Sequence, residues 1–217
     1  MALPNSINLS GADAAKPASG FVAGRIYVAT DTHKLYVDSG TAWVDSGLGA
    51  GGGGSGAVTA IADSLLTAAA ASFDFASIPG TYRHLRVLLS GRLDTSGGFG
   101  SVGLTLNGDT GAHYDYAVSG NTTDAQSGQA SMLVAIMPDA GAGAGRSGGA
   151  AIDLPNYAGT ALHKQVLSLA GLHNVTYNQA RQYSGLWLST AAIARVTIAP
   201  ASGNFATGSR CTLYGYS

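Results

Sequence analysis

Residues 47–57 read Gly-Leu-Gly-Ala-Gly-Gly-Gly-Gly-Ser-Gly-Ala, and they limit what this chain can fold into more than any other stretch. Eleven residues with almost no side chain to bury can belong to neither neighbour's core. A glycine-rich coil of this length spans ~18 Å on average, with an extended limit near ~36 Å. On its N-terminal side lies a short piece rich in turns and strands. On its C-terminal side lies a domain-sized remainder. The division predicts an extended arm over 1–20, a small β module for anchoring and oligomerisation over 21–46, a linker over 47–57 and a β-sandwich over 58–217.

The class of both pieces can be read from which residues are missing. All twelve acidic residues are Asp, with no Glu, beside 32 Gly. Glu favours helices whereas Asp favours caps and turns, so the balance points to an all-β protein. Charged residues are only 11 % of the chain, and the net charge is −1. A nucleic-acid footprint needs clustered Lys and Arg, so none is expected. Cys211 stands alone, which excludes an intrachain disulfide or a Cys-based zinc site. The first residues show no basic-then-apolar leader, and no window approaches the ~18 apolar residues of a membrane span. Synthesis and folding in a cytoplasm are the expectation, with no membrane partner.

Alternation of apolar and polar residues places the strands. Runs over 25–29, 34–38 and 41–45, separated by turn residues, read as a three-stranded meander. Such a sheet buries too little to stand alone, so Tyr27, Tyr36 and Trp43 call for cover from other copies or a host protein. Within 58–72, Val58, Ile61, Leu65 and the alanines of 68–71 suit a short helix, but a strand over Ser64–Phe75 is the preferred reading, because Ser72-Phe73-Asp74-Phe75 has period two. Pro79 and Gly80 suit the centre of a type II turn, and Asn107-Gly108-Asp109 suits a hairpin. Further strands fall over 85–90, 102–106, 113–118, 131–137, 151–154, 164–169, 181–188, 192–198 and 210–214. The run over 131–137 is apolar nearly throughout, which suggests a central strand. Nine or ten strands with frequent turns and no helical period argue for a β-sandwich, with jelly roll as the expected topology.

Two groups of residues carry a resemblance. Gly24-Arg25-Ile26-Tyr27-Val28-Ala29-Thr30-Asp31-Thr32, then Lys34-Leu35-Tyr36 and Gly40-Thr41-Ala42-Trp43, resemble a module near the N-termini of tailed-phage fibre and decoration proteins. Phe75-Ala76-Ser77-Ile78-Pro79-Gly80-Thr81-Tyr82-Arg83-His84-Leu85, Asn107-Gly108-Asp109-Thr110-Gly111, Asn156-Tyr157-Ala158 and Gly208-Ser209-Arg210-Cys211-Thr212-Leu213-Tyr214-Gly215 resemble a sandwich domain of phage virion proteins. The resemblance implies a structural, trimeric appendage on the virion surface, a capsid decoration or head fibre. Its partners would be other copies and the major capsid or tail protein. Ile26, Tyr27, Val28, Leu35, Tyr36 and Trp43 become the expected oligomerisation and anchor residues. The alternative is a tail-associated adhesin for host-surface glycans, with Tyr114, Tyr116, Tyr177 and Tyr183 as ligand contacts through their amphipathic rings.

The motifs that formally mark enzymes fall in the wrong context. Gly145-Arg146-Ser147-Gly148-Gly149 fits the nucleophile-elbow spacing, but a strand rather than a helix is expected after it. The glycine triplets at 143, 145, 148 and 47, 49, 52 lack the helix that a dinucleotide site requires. His33, His84, His113, His163 and His173 have no metal-ligand spacing. Asp94, Asp109 and Asp115 lie near turns, where Asp caps backbone amides more often than it binds calcium. Neither catalysis, a cofactor nor a metal is expected.

Overall fold

The computed structural model describes residues 9–18, 20, 22–46, 57–120, 124–174, 176 and 178–217. The linker expectation therefore lies almost wholly outside the described residues. The chain forms two compact units, Met1–Ala57 and Val58–Ser217. Both are all-β, with only single turns of 3-10 helix at Asp13–Ala15 and Ala140–Ala142 among the described residues.

In the first unit, β1 (Leu9–Gly11), β2 (Ile26–Ala29), β3 (Leu35–Asp38) and β4 (Trp43–Asp45) form one sheet in that order. The meander is present, and it gains a strand from the arm, because β1 pairs in parallel with β2. Asp38, 1 % exposed, fixes the β3–β4 corner. Its carboxylate accepts from the Val22 amide at 2.6 Å, the Gly40 amide at 2.8 Å and the Arg25 guanidinium at 2.7 Å. Burial alone would raise its pKa, but these donors hold it below the usual carboxylate value.

The second unit runs through β5 (Val58–Leu65), β6 (Phe73–Phe75), β7 (His84–Gly91), β8 (Phe99–Leu106), β9 (Tyr114–Ser119) and β10 (Asp124–Gln129). It continues with β11 (Met132–Pro138), β12 (Gly148–Pro155), β13 (Lys164–His173), β14 (Asn178–Trp187), β15 (Val196–Pro200) and β16 (Arg210–Tyr216). An eight-stranded antiparallel sheet has the order β10-β9-β14-β13-β12-β7-β16-β5, and a four-stranded one has β11-β8-β15-β6. They pack face to face as a β-sandwich, with β11 lying across β12, β13 and β14. Leu85, Val87, Ile152, Val166 and Leu213 from the large sheet meet Val102, Leu104, Leu106, Val196 and Ile198 from the small one.

Several local expectations are corrected. Gly80 lacks the positive φ that a type II turn requires, and Ser77 takes φ 55° instead. Asn107 and Gly108 do turn the chain, with φ 53° and 72°. They join no hairpin, however, since β8 and β9 belong to different sheets. β11 is buried along its length yet lies at an edge of its sheet, covered by the facing strands rather than flanked on both sides. The strand expected over 64–75 is broken, since β5 ends at Leu65 and Phe73–Phe75 form β6 in the other sheet, and the run expected over 192–198 pairs only from Val196. β10, unforeseen, has no apolar alternation to betray it.

Candidate interaction surfaces

Period two divides the first unit's sheet into unlike faces. Tyr27 pairs directly with Tyr36, and Ala29 and Trp43 join them on one side. The arm covers that side. The Tyr27 hydroxyl donates to the Ala12 carbonyl at 2.7 Å, and the Trp43 indole N–H donates to the Pro17 carbonyl at 3.0 Å. Lys16, paired with Asp13, sits 3.9 Å above the Tyr36 ring. Gly11 lets β1 pass closely, because a Cβ there would lie 2.7 Å from the Tyr27 hydroxyl. The cover expected from other molecules is thus supplied by the chain itself.

The opposite side is aliphatic and open. Ile26 pairs with Val37, Val37 with Val44, and Val28 with Leu35. Val28, Val37 and Val44 are 38 %, 37 % and 52 % exposed, while Ile26 and Leu35 are half-buried. Of the six expected anchor residues, Ile26, Val28 and Leu35 belong here, and Tyr27, Tyr36 and Trp43 lie under the arm. Val37 and Val44 complete the patch. They were legible through the same alternation, two residues on from Leu35 and one on from Trp43.

The second unit presents a larger open face, the outer side of its eight-stranded sheet. Register aligns Thr212, Leu88, Ala151, Leu169 and Gln182 in one row. The next row reads Arg210, Ser90, Gly149, Gly171 and Ala180. Leu88, Leu167 and Leu169 are 43 %, 46 % and 57 % exposed. Arg86 pairs with Asp153 at 2.7 Å, and Arg210 with Asp63 at 2.6 Å. The Arg210 guanidinium, then the Thr212 hydroxyl, hold Asp63 down to about 2. Sequence did not single these leucines out, because an outward Leu and an inward one look alike there.

The candidate tyrosines do not gather. Tyr114 is fully buried, its hydroxyl donating to the Asp109 carbonyl at 2.9 Å and accepting from the Leu106 amide at 2.9 Å. Tyr183 is 4 % exposed within the core. Burial pushes both phenols up, Tyr114 to about 12. Tyr116 is half-buried against the same core, and Tyr177 lies outside the described residues. Burial withdraws Tyr114 and Tyr183 from ligand contact.

The remaining candidates serve the fold locally. Asp109 accepts from the Trp187 indole at 2.7 Å, the Gly111 amide at 2.9 Å and His113 Nδ1 at 2.9 Å. Asp94 accepts from the Asn204 amide, and Asp115 from the Gly128 amide. Among the described residues no three of His, Cys, Asp or Glu are grouped to hold a metal ion. Ser147 is exposed and leads into β12. Lys164, which sequence did not single out, is 2 % exposed. Its ammonium donates to the Leu162 and Thr190 carbonyls, and burial pushes its pKa down.

The chain matches no family model, no curated protein and no solved structure.

Proposed function

We propose that this chain is a non-enzymatic structural protein of a tailed-phage virion. In this reading it is a trimeric surface appendage, a capsid decoration or head fibre. It docks through residues 1–46, against other copies and the major capsid or tail protein, and displays the sandwich of 58–217. The observation that carries the reading is the aliphatic face of Ile26, Val28, Leu35, Val37 and Val44, left open on a sheet with three buried apolar residues behind it. A soluble chain has little reason to keep five aliphatic side chains together on one side of so small a sheet unless something covers them.

Magnitudes favour many copies over a lone pair. Three strands about 4.8 Å apart and about four residues long offer a footprint of ~200 Å², a quarter of the ~800 Å² per partner of a standard interface. Completing the burial of five half-covered aliphatic side chains yields on the order of 5 kcal/mol, at the low end of the cost of association. A trimer seated on a particle multiplies that contact, and the repeated array supplies avidity.

The double substitution V37K/V44K tests it. Both side chains point outward, so the fold should persist, checked by far-ultraviolet circular dichroism. Particles produced with the variant chain should lack it on immunoblots, whereas particles with the wild-type chain retain it. Equal incorporation would remove the docking role from this face.

A further inference from the structure

We propose that the outer face of the eight-stranded sheet is covered by a second copy of this chain, related by a two-fold axis. The leucine row of each copy then lies over the small-residue row of the other. Four observations lead there, none involving the first unit.

The first concerns glycine. Gly149 and Gly171 are register partners, the second residue of β12 and the third from the end of β13, and neither takes a positive φ. A Cβ on Gly149 would meet nothing nearer than the Leu89 carbonyl at 3.8 Å, and one on Gly171 nothing nearer than the Gln179 carbonyl at 3.6 Å. Both are ordinary contact distances, so the chain's own fold leaves room for a side chain at either site. Glycine within a strand marks a bulge, a bend or the close approach of a ligand or another backbone, and no register shift interrupts β12 or β13. Here nothing among the described residues fills that place.

The second is shape. Leu88, Ala151 and Leu169 form a ridge, and Ser90, Gly149, Gly171 and Ala180 form a furrow two residues along the strands, about 6.8 Å away. Open depressions of about 530 and 580 Å³ flank the ridge and share Ala151 and Leu169. A two-fold axis running along the rows, midway between them, maps ridge onto furrow. It sets Leu169 over Gly171, Leu88 over Ser90 and Ala151 over Gly149 of the opposite copy. One surface carrying both halves of its own complement is what an isologous contact requires.

Charge and area agree with that occupant. The charged side chains beside the ridge, Arg86 with Asp153 and Arg210 with Asp63, are matched within the face. Around the two rows the charges therefore balance and do not repel a second copy, while Asp115 lies on β9 at the far side of the face, capped by the Gly128 amide. Six strands from β16 to β9, about 4.8 Å apart and some eight residues long, span ~800 Å², the area each side of a standard interface buries.

Two substitutions in the full chain test the pairing, with mass measured by light scattering at about 50 µM. Leu169→Lys puts a charge on the ridge, and Gly171→Val fills the furrow without crowding its own chain. Each variant should have half the wild-type mass with an unchanged circular dichroism spectrum. The factor of two does not depend on the first unit: a trimer-forming chain falls from six copies to three, and one without that contact from two to one. The variants' own mass then reads the trimer separately. Equal masses for wild type and both variants overturn the two-fold pairing.

Discussion

At the scale of single residues, Asp38, Asp94, Asp109, Asp115 and Asp139 act as short tethers for backbone, whereas Asp63, Asp74 and Asp153 pair with arginines. Asp139, 1 % exposed, accepts from the amides of Gly97, Gly98 and Gly141 at 2.6, 2.8 and 2.9 Å, tying the β7–β8 loop to the turn after β11. Burial alone would raise its pKa, but the three amides hold it below the usual value. At these turn positions the use of Asp, legible at once in sequence, has a physical meaning: a one-carbon stem reaches neighbouring amides that Glu would overshoot. Asp109 gives the sharpest test. The Trp187 indole, then the Gly111 amide and His113, lower its pKa from 3.8 to about 2. A depressed acid favours the folded state fully above its unfolded pKa, and that contribution is lost as pH falls through the folded value. In a W43F chain, Trp187 fluorescence should hold steady down to pH 4 and change with a midpoint near 2, and D109N should abolish the change. A midpoint at the ordinary carboxylate value would mean the indole does not hold Asp109.

At the scale of elements, the turn at Asn107-Gly108 shows what local sequence can and cannot reveal. Both residues adopt the positive φ that their types tolerate, and the Asp109 amide closes the turn on the Leu106 carbonyl at 3.0 Å. The Asn107 side chain also accepts from the Ala194 amide at 2.8 Å and donates to the Ala192 carbonyl at 2.8 Å. Asn107 thereby joins the loop before β15 to the crossing between sheets. Asn107→Ala should cost about 2 kcal/mol in urea unfolding, from the lost bonds and the left-handed backbone together. Gly108→Ala, which meets only the strain, should cost about 1 kcal/mol. The turn was visible in sequence, but the sheets it joins were not, because pairing is decided by partners far along the chain. β7 and β13 were legible because one flank faces the core. β10 was not, because an edge strand exposed on both faces needs no alternation. On the candidate surfaces, alternation could have separated Val28 from Tyr27. It could not tell that the arm would take the tyrosine side, since that depends on where residues 12–17 fold back.

At the scale of the whole molecule, two cores of very unequal size share one chain. Among the described residues, the second unit's cluster holds thirty that are buried, and the first unit's holds Tyr27, Ala29 and Tyr36. Stability grows with buried apolar surface, so the first unit should melt well below the second, and calorimetry should resolve two transitions instead of one cooperative event. Trp43 identifies which is which. Its ring lies 5.7 Å from Tyr27 and its indole ties down the arm, so Trp43→Ala removes packing and tether together. Truncating a half-buried Trp in so small a core should cost roughly 2–3 kcal/mol, at or below the roughly 3–5 kcal/mol range of fully buried aromatic residues. That is enough to lower the first transition sharply or abolish it at 25 °C, while the second keeps its midpoint and enthalpy. If both transitions move together, the units unfold as one, and the first unit's small core draws stability from the sandwich. If only the first moves, the sandwich is an independent fold carried on a separable base, as an appendage that docks with one part and displays the other requires.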